Sequence, residues 1–492
     1  MGSTVTDTVT VRQGTVRGRQ HGDLLSFLGI PYAAPPFGEN RMRPPEPAPA
    51  WTGVRDAGAY GPTVPKADYV AGYVPFYPEV RIAGAECLNL NVHTRVDADG
   101  LPVLVWIHGG AFTNGSNSLP EYEGSAFARD GVVTVVINYR LGAEGFLYTG
   151  DEIADLGILD QIAALHWVRD NIAAFGGDPR RVTVAGQSAG AWSVNTLLAA
   201  PGAEGLFQQA ISQSGGAHHH LPPEQSLAVT CELARLLGIE PEREAFAAVD
   251  PQLLAETCSS VITEIQTAPD PEKWGELALS QQPFVPTVDG VVLPRPTLDT
   301  IADGGRSGIK LLIGTTADEA RAILVASGAM DFIDDAALAA TIAGYGLPVP
   351  ETLAAYRRDR PGATPGDLLS AVISDWYFRI PSIRVAETAG AGDTWLYRFD
   401  WASPTIGSGH GVEIPFVFDT ITDPGLTPRL GPNPPQSVAD VTHRAWVEFI
   451  THGDPGWPPY DTTARATALI SDTVTVVADP AGHERILWEG KR

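Results

Sequence analysis

Three absences narrow this chain before any motif is read. Only three of its 492 residues are cysteine (Cys87, Cys231 and Cys258), which is too few for a disulfide framework. No run of about 18 or more apolar residues occurs, so no membrane-spanning helix is expected. The first residues, Met1-Gly2-Ser3-Thr4-Val5, lack the basic start and apolar core of a secretory leader, and a cytoplasmic, reduced protein is the expectation. Positive charge is scarce too. Lysine occurs only as Lys66, Lys273, Lys310 and Lys491, and 33 basic residues face 58 acidic ones, a formal net charge of −25. Such a chain repels nucleic acid and anionic membranes, so neither is expected as a partner.

What is present is globular. Hydrophobic residues make up 44% of the chain and charged ones 18%, enough apolar material for a sizeable core. Near-continuous apolar runs at 102–107 and 132–139 read as strands buried on both faces. Shorter strands are expected at 88–93, 182–185, 309–314 and 394–400, and a last one at 473–477. An alternating stretch at 8–19 predicts a hairpin. Apolar residues at helical spacing over 155–175 predict a helix that stops at Gly176-Gly177-Asp178-Pro179. Residues 27–45, rich in proline, read as a rigid surface wrap. Residues 221–300 and 332–391 read as largely helical, the latter with breaks at Pro361 and Pro365, and a late helix is expected over 438–451. Strand–helix–strand alternation predicts a mostly parallel sheet covered on both faces. No flexible linker divides the chain, so one domain over 1–492 is expected. Its insertions at roughly 61–85, 216–300 and 320–390 shape a pocket.

One pentapeptide organises the rest. Gly186-Gln187-Ser188-Ala189-Gly190 follows the β-branched run 182–185 and precedes a helical stretch at 191–198. Strand, sharp turn and helix around G-x-S-x-G are the context of a nucleophile elbow, with small residues needed beside the serine. A serine hydroxyl needs a base, and the base needs an acid to hold its tautomer. The α/β-hydrolase order is nucleophile, acid, base, each after a strand end. Ser188 follows one strand, Asp318 and Glu319 follow another, and His410 follows a third. Spacing leaves Asp318 and Glu319 as competing acids. Glycines at 407, 409 and 411 let the His410 loop fold closely over a site. Backbone N–H groups from 108–112 and from Ala189 are the expected oxyanion donors. The loop 61–85 carries Tyr69, Tyr73, Phe76 and Tyr77, which either rim a pocket or pin the loop by their rings. Consecutive His218-His219-His220 read first as surface residues, second as a polar pocket wall, and least as a metal site.

Nearly end to end, the chain resembles the type-B carboxylesterases, which include the cholinesterases and bacterial para-nitrobenzyl esterases. The resemblance rests on Phe27-Leu28-Gly29-Ile30-Pro31-Tyr32-Ala33, Glu86 through Val92, Trp106 through Phe112, Asn138 through Gly142, Phe175 through Pro179, Gly186 through Gly190, Gln213-Ser214-Gly215, Asp318-Glu319 and His410 through Phe418. It implies an α/β-hydrolase fold and a triad of Ser188, Glu319 and His410. It also implies oxyanion donors at Gly110, Ala111 and Ala189, no metal or cofactor, and a small-molecule ester as substrate. A monomer is expected, with a weak homodimer as the alternative. Four departures stand out. Ala111 replaces a glycine usual in the family, and Gln187 replaces a glutamate. No cysteine precedes Cys87 to pair with it, which agrees with a cytoplasmic bacterial form. No tryptophan lies between Trp51 and Cys87 to bind choline. Amide or carbamate hydrolysis by the same machinery is the first rival reading. A non-catalytic adhesion-type relative is the second, and the intact triad counts against it.

Overall fold

The computed structural model describes residues 6–69, 71–305, 308–389 and 392–492. Met1–Val5, Val70 in the aromatic loop, and residues 390–391 at the end of the second helical region lie outside the described residues. The chain forms two compact units. One comprises the chain up to Asp68, Glu79–Ile211 and His218–Ile309; the other comprises Tyr69–Pro78, Ser212–Ala217 and Lys310–Arg492.

The first unit's strands are, in chain order, β1 (Thr8–Val11), β2 (Gly14–Arg17), β3 (Arg19–His21), β4 (Leu24–Pro31), β5 (Val54–Asp56), β6 (Asn89–Arg95), β7 (Leu101–Ile107), β8 (Val133–Ile137) and β9 (Gly177–Gln187). The expected hairpin is β1 against β2, with β5 added in parallel. The larger sheet runs β3-β4-β6-β8-β7-β9. β7 is parallel to both β8 and β9. Val103, Val105, Trp106 and Ile107 on β7, and Val133, Val135, Val136 and Ile137 on β8, are fully buried. Strands covered on both faces have no room for alternating polarity, which is why they read as unbroken apolar runs.

One expectation needs correcting. Residues 27–31 are not a surface wrap: they belong to β4, antiparallel to β6, with a register shift between Phe27 and Ile30. Phe27 and Ile30 are fully buried, and Gly29 supplies a left-handed φ of 69° at the irregularity. The helix Leu156–Asn171 passes through a short 3-10 turn, Ile172–Phe175, and ends at left-handed Gly176, the stop read from the sequence.

The second unit holds β11 (Lys310–Thr316), β12 (Thr394–Phe399) and β13 (Ala466–Ile470), parallel in that order, with β14 (Val474–Ala478) antiparallel at the end. Between the two sets the chain runs through β10 (Gln209–Gln213). β13 was not anticipated, and the chain does not close on β14: a helix follows at Gly482–Leu487. Pro365 does not break a helix but starts one, Pro365–Ser374, where Thr364 and Asp367 form a capping box. Proline suits this first position because its missing N–H has no intrahelical partner there. Among the described residues no helix is long and apolar enough to cross a membrane.

Candidate active site

Ser188 stands between the end of β9 and the helix Ala189–Ala199. Its backbone is at φ 58°, ψ −123°, a strained conformation for a residue with a Cβ, of the kind that costs roughly 1–3 kcal/mol and is kept where function needs it. The glycines on either side answer to space. A Cβ on Gly190 would lie 2.0 Å from the Ile107 carbonyl oxygen, and one on Gly186 would lie 2.5 Å from the Gly190 carbonyl carbon. The turn is therefore pressed against β7 with no clearance for a side chain. Helix N–H groups at Ala189 and beyond open beside the serine, and the positive end of the helix dipole favours an anion there.

The turn after β7 reaches the same place. A Cβ on Gly109 would come 3.2 Å from Ser188 Cβ. Ala111 and Phe112 both take left-handed φ, 54° and 59°. Thr113 and Asn114 donate their N–H groups to the Gly110 carbonyl, at 2.9 and 2.8 Å. Tyr139, just past β8, donates its hydroxyl to the His108 carbonyl at 2.9 Å and stacks on the His108 ring at 4.6 Å. Burial pushes the His108 imidazole down to about 3, so it is neutral and adds no charge to the turn. Ser188, the expected nucleophile, and the three expected oxyanion donors thus lie in one unit, on two adjoining turns.

The triplet His218–His220 is not a surface feature. His219 is buried and stacks on Trp192 at 3.9 Å, with 13° between the rings. His218 and His220 are more exposed, as expected where successive side chains alternate in direction.

The histidine and its acid belong to the second unit. Glu319 opens the helix Glu319–Ala326 after β11. Its Oε2 lies 2.6 Å from His410 Nδ1, and its Oε1 accepts the Thr316 N–H at 2.7 Å. It is fully buried. Asp318 is turned elsewhere: it pairs with Arg321 and accepts the Ser370 hydroxyl. Of the two competing acids, Glu319 is the one at His410. The Phe378 ring lies 4.7 Å from the His410 ring.

Two further residues lie near His410: Tyr77 of the aromatic loop, read above as rim or pin, and Glu413, which was not singled out from the sequence. Tyr77 donates its hydroxyl to the His410 carbonyl at 3.0 Å, and its ring lies 6.2–6.3 Å from those of Tyr73 and Tyr69. Within this unit the aromatic loop is pinned by its tyrosines, the second of the two readings given above. The other residue is Glu413, fully buried, with Oε1 accepting from Gln213 at 3.2 Å. Gln213 in turn accepts from the Trp446 indole at 2.8 Å. Neither Glu413 Oε2 nor the Tyr397 hydroxyl has a hydrogen-bond partner among the described residues. Burial, and then the nearby charge of Glu319, push the Glu413 carboxyl up to about 7. A raised carboxyl favours the protonated form in the folded state. Its stabilising share is complete below the ordinary carboxylate pKa and is lost as pH rises through about 7. Glu413→Gln, which keeps the neutral shape, is therefore expected to match wild type at pH 4 and to exceed it in stability at pH 8 by about 3 kcal/mol. Thermal unfolding at the two pH values checks this.

Comparison with known proteins gives the family and the fold. Residues 5–484 match the model of the carboxylesterase family. The chain is 36% identical over 500 residues to the para-nitrobenzyl esterase of Bacillus subtilis (strain 168), covering 97% of each chain. It is 36% identical over 490 residues to the phenmedipham hydrolase of Pseudarthrobacter oxydans, covering 94% of this chain and 95% of that one. The crystal structure of the Geobacillus stearothermophilus carboxylesterase EST55 at pH 6.2 superposes with a TM-score of 0.85 at 34% identity, covering 98% of this chain and 100% of that one. The chain that carries this elbow serine, glycine turn and carboxylate-bound histidine belongs to the carboxylesterase family, with the α/β-hydrolase fold and carboxylic-ester hydrolysis as its reaction.

Proposed function

We propose that Ser188 is the nucleophile, His410 the general base and acid, and Glu319 the group that orients His410 and stabilises its charged form. The N–H groups of Gly110, Ala111 and Ala189 take the oxyanion. In this reading Ser188 Oγ attacks the ester carbonyl while His410 Nε2 accepts its proton. The tetrahedral oxyanion collapses, the alcohol leaves with the proton from His410, and an acyl-enzyme remains. Water, deprotonated by the same imidazole, then releases the acid. The observation that carries this is the strained backbone of Ser188 at the strand–helix turn, which an ordinary serine has no reason to keep. The 2.6 Å contact of His410 with Glu319 supports the roles of the other two.

We further infer a single catalytic domain, supported by a family match that runs through both compact units. A cytoplasmic monomer acting on small esters, with no nucleic-acid or membrane partner, is the companion reading, supported by the net charge of −25. The test is p-nitrophenol release from acyl esters of increasing chain length, with the matching p-nitroanilides in parallel. Fast ester cleavage with slow anilide cleavage is expected, and the chain-length optimum sizes the acyl pocket. Anilide cleavage as fast as ester cleavage would overturn the ester assignment in favour of an amidase.

A further inference from the structure

Lys66 is one of only four lysines, and it is 1% exposed. A buried ammonium is costly unless it is paired and hydrogen-bonded. Lys66 is both. Its Nζ lies 2.6 Å from Glu79 Oε2 and donates to the Gly115 carbonyl at 2.8 Å. The other oxygen of Glu79, Oε1, accepts the Gly115 N–H at 2.9 Å. One ion pair therefore grips both backbone polar groups of a single residue.

Gly115 has φ 90° and packs so closely that a Cβ there would lie 2.4 Å from the Gly109 carbonyl oxygen and 2.6 Å from His108 Nδ1. Residues 110–114 between them close into a turn on the Gly110 carbonyl. The pair is itself anchored. The Lys66 carbonyl accepts from Arg81 at 2.6 Å and from Gln252 at 3.2 Å, and Asn114 Nδ2 donates to the Ala67 carbonyl at 3.0 Å. Two consecutive left-handed non-glycine residues, Ala111 and Phe112, persist only where the surroundings over-determine the backbone. Gly115, held at N–H and C=O, is the fixed far end of that turn.

We propose that the Lys66–Glu79 pair is a positioning device for the oxyanion turn: through Gly115 it holds the N–H groups of Gly110 and Ala111 where the developing negative charge forms. This rests on the reading of Gly110 and Ala111 as oxyanion donors. Lys66 and Glu79 touch neither substrate nor reacting atoms. Their effect falls on the transition state, because a small misplacement of preorganised donors weakens them most where charge is greatest.

The test uses Lys66→Met and the charge-free double variant Lys66→Met/Glu79→Leu. The double variant leaves no uncompensated buried charge, so it keeps the fold when the single variant does not. Both leave the Gly115 carbonyl without its donor. The expected result, read on p-nitrophenyl acetate, is a kcat lower by roughly 10–100-fold with KM within about twofold of wild type. The inhibition constant of an aryl trifluoromethyl ketone, whose hemiketal oxyanion mimics the transition state, is expected to rise by the same factor as kcat/KM falls. A purely structural pair would lower the unfolding temperature and leave both numbers unchanged. A folded double variant with wild-type kcat and wild-type ketone affinity overturns the proposal. Failure of the oxyanion reading itself looks different: wild type would then bind the ketone no more tightly than its non-fluorinated analogue.

Discussion

Ser188→Ala is expected to lower kcat for p-nitrophenyl esters by roughly 10⁴–10⁶-fold, leaving only the catalysis that binding and oxyanion donors supply without a nucleophile. The loss is large because the acyl-enzyme route disappears altogether. The fold should survive, since alanine fills the same buried position and has the same Cβ. Ser188→Gly separates chemistry from strain. It is expected to be as inactive as the alanine variant. It should also unfold at a higher temperature, because glycine takes φ 58° without the steric penalty, a gain of about 1 kcal/mol. Steady-state rates and thermal unfolding on the two variants read the two effects apart. A Ser188→Ala enzyme that keeps most of the wild-type rate would remove Ser188 from the mechanism.

Glu319→Gln is expected to lower kcat by roughly 10³–10⁴-fold, whereas Asp318→Asn leaves it within a few-fold. Glu319 accepts twice in fixed directions, from the Thr316 N–H through Oε1 and at His410 Nδ1 through Oε2. An amide has one acceptor oxygen. If it keeps the Thr316 bond, its NH2 group faces Nδ1 and selects the tautomer whose Nε2 carries the proton, which cannot act as a base. Asp318 instead loses part of an ion pair with Arg321, in which both side chains are about a quarter exposed. Such a pair is worth about 1 kcal/mol or less. The rate of each variant on one ester, across pH, checks the contrast. The reverse pattern, with Asp318→Asn inactive, would transfer the acid role to Asp318.

The core strands and the elbow were legible because they are written in contiguous residues. β7 and β8 announce double burial by an unbroken apolar run, and Gly186 and Gly190 bracket Ser188 within one pentapeptide. β4 was misread because Gly29 and Pro31 look like loop chemistry, yet the buried Phe27 and Ile30 pair with β6 across an irregular register. Pro365 was misread because a helix-breaking residue is also a good first residue. Glu413 stood in plain view three residues after His410, but nothing local says that Gln213, some 200 positions away, meets it in the buried interior. The Lys66–Glu79 pair joins two ends of a loop with no periodicity. Its one available signal was the rarity of lysine, which a count records without placing.

By itself the chain's order of residues determined the fold class, the strained elbow at Ser188 and the turn that faces it, because each depends on backbone conformations that a few adjacent residues dictate. Spacing left Asp318 and Glu319 open, and only family resemblance favoured the glutamate. Tertiary structure separated the two carboxylates in space: Asp318 stands just before the helix with φ −147° while Glu319 is its first helical residue, so their side chains leave the backbone in different directions. It likewise buried His219 against Trp192 and pushed Glu413 into the company of Glu319. Side-chain direction and burial are set by what the rest of the chain packs against each residue, and that information is not local to any stretch of sequence.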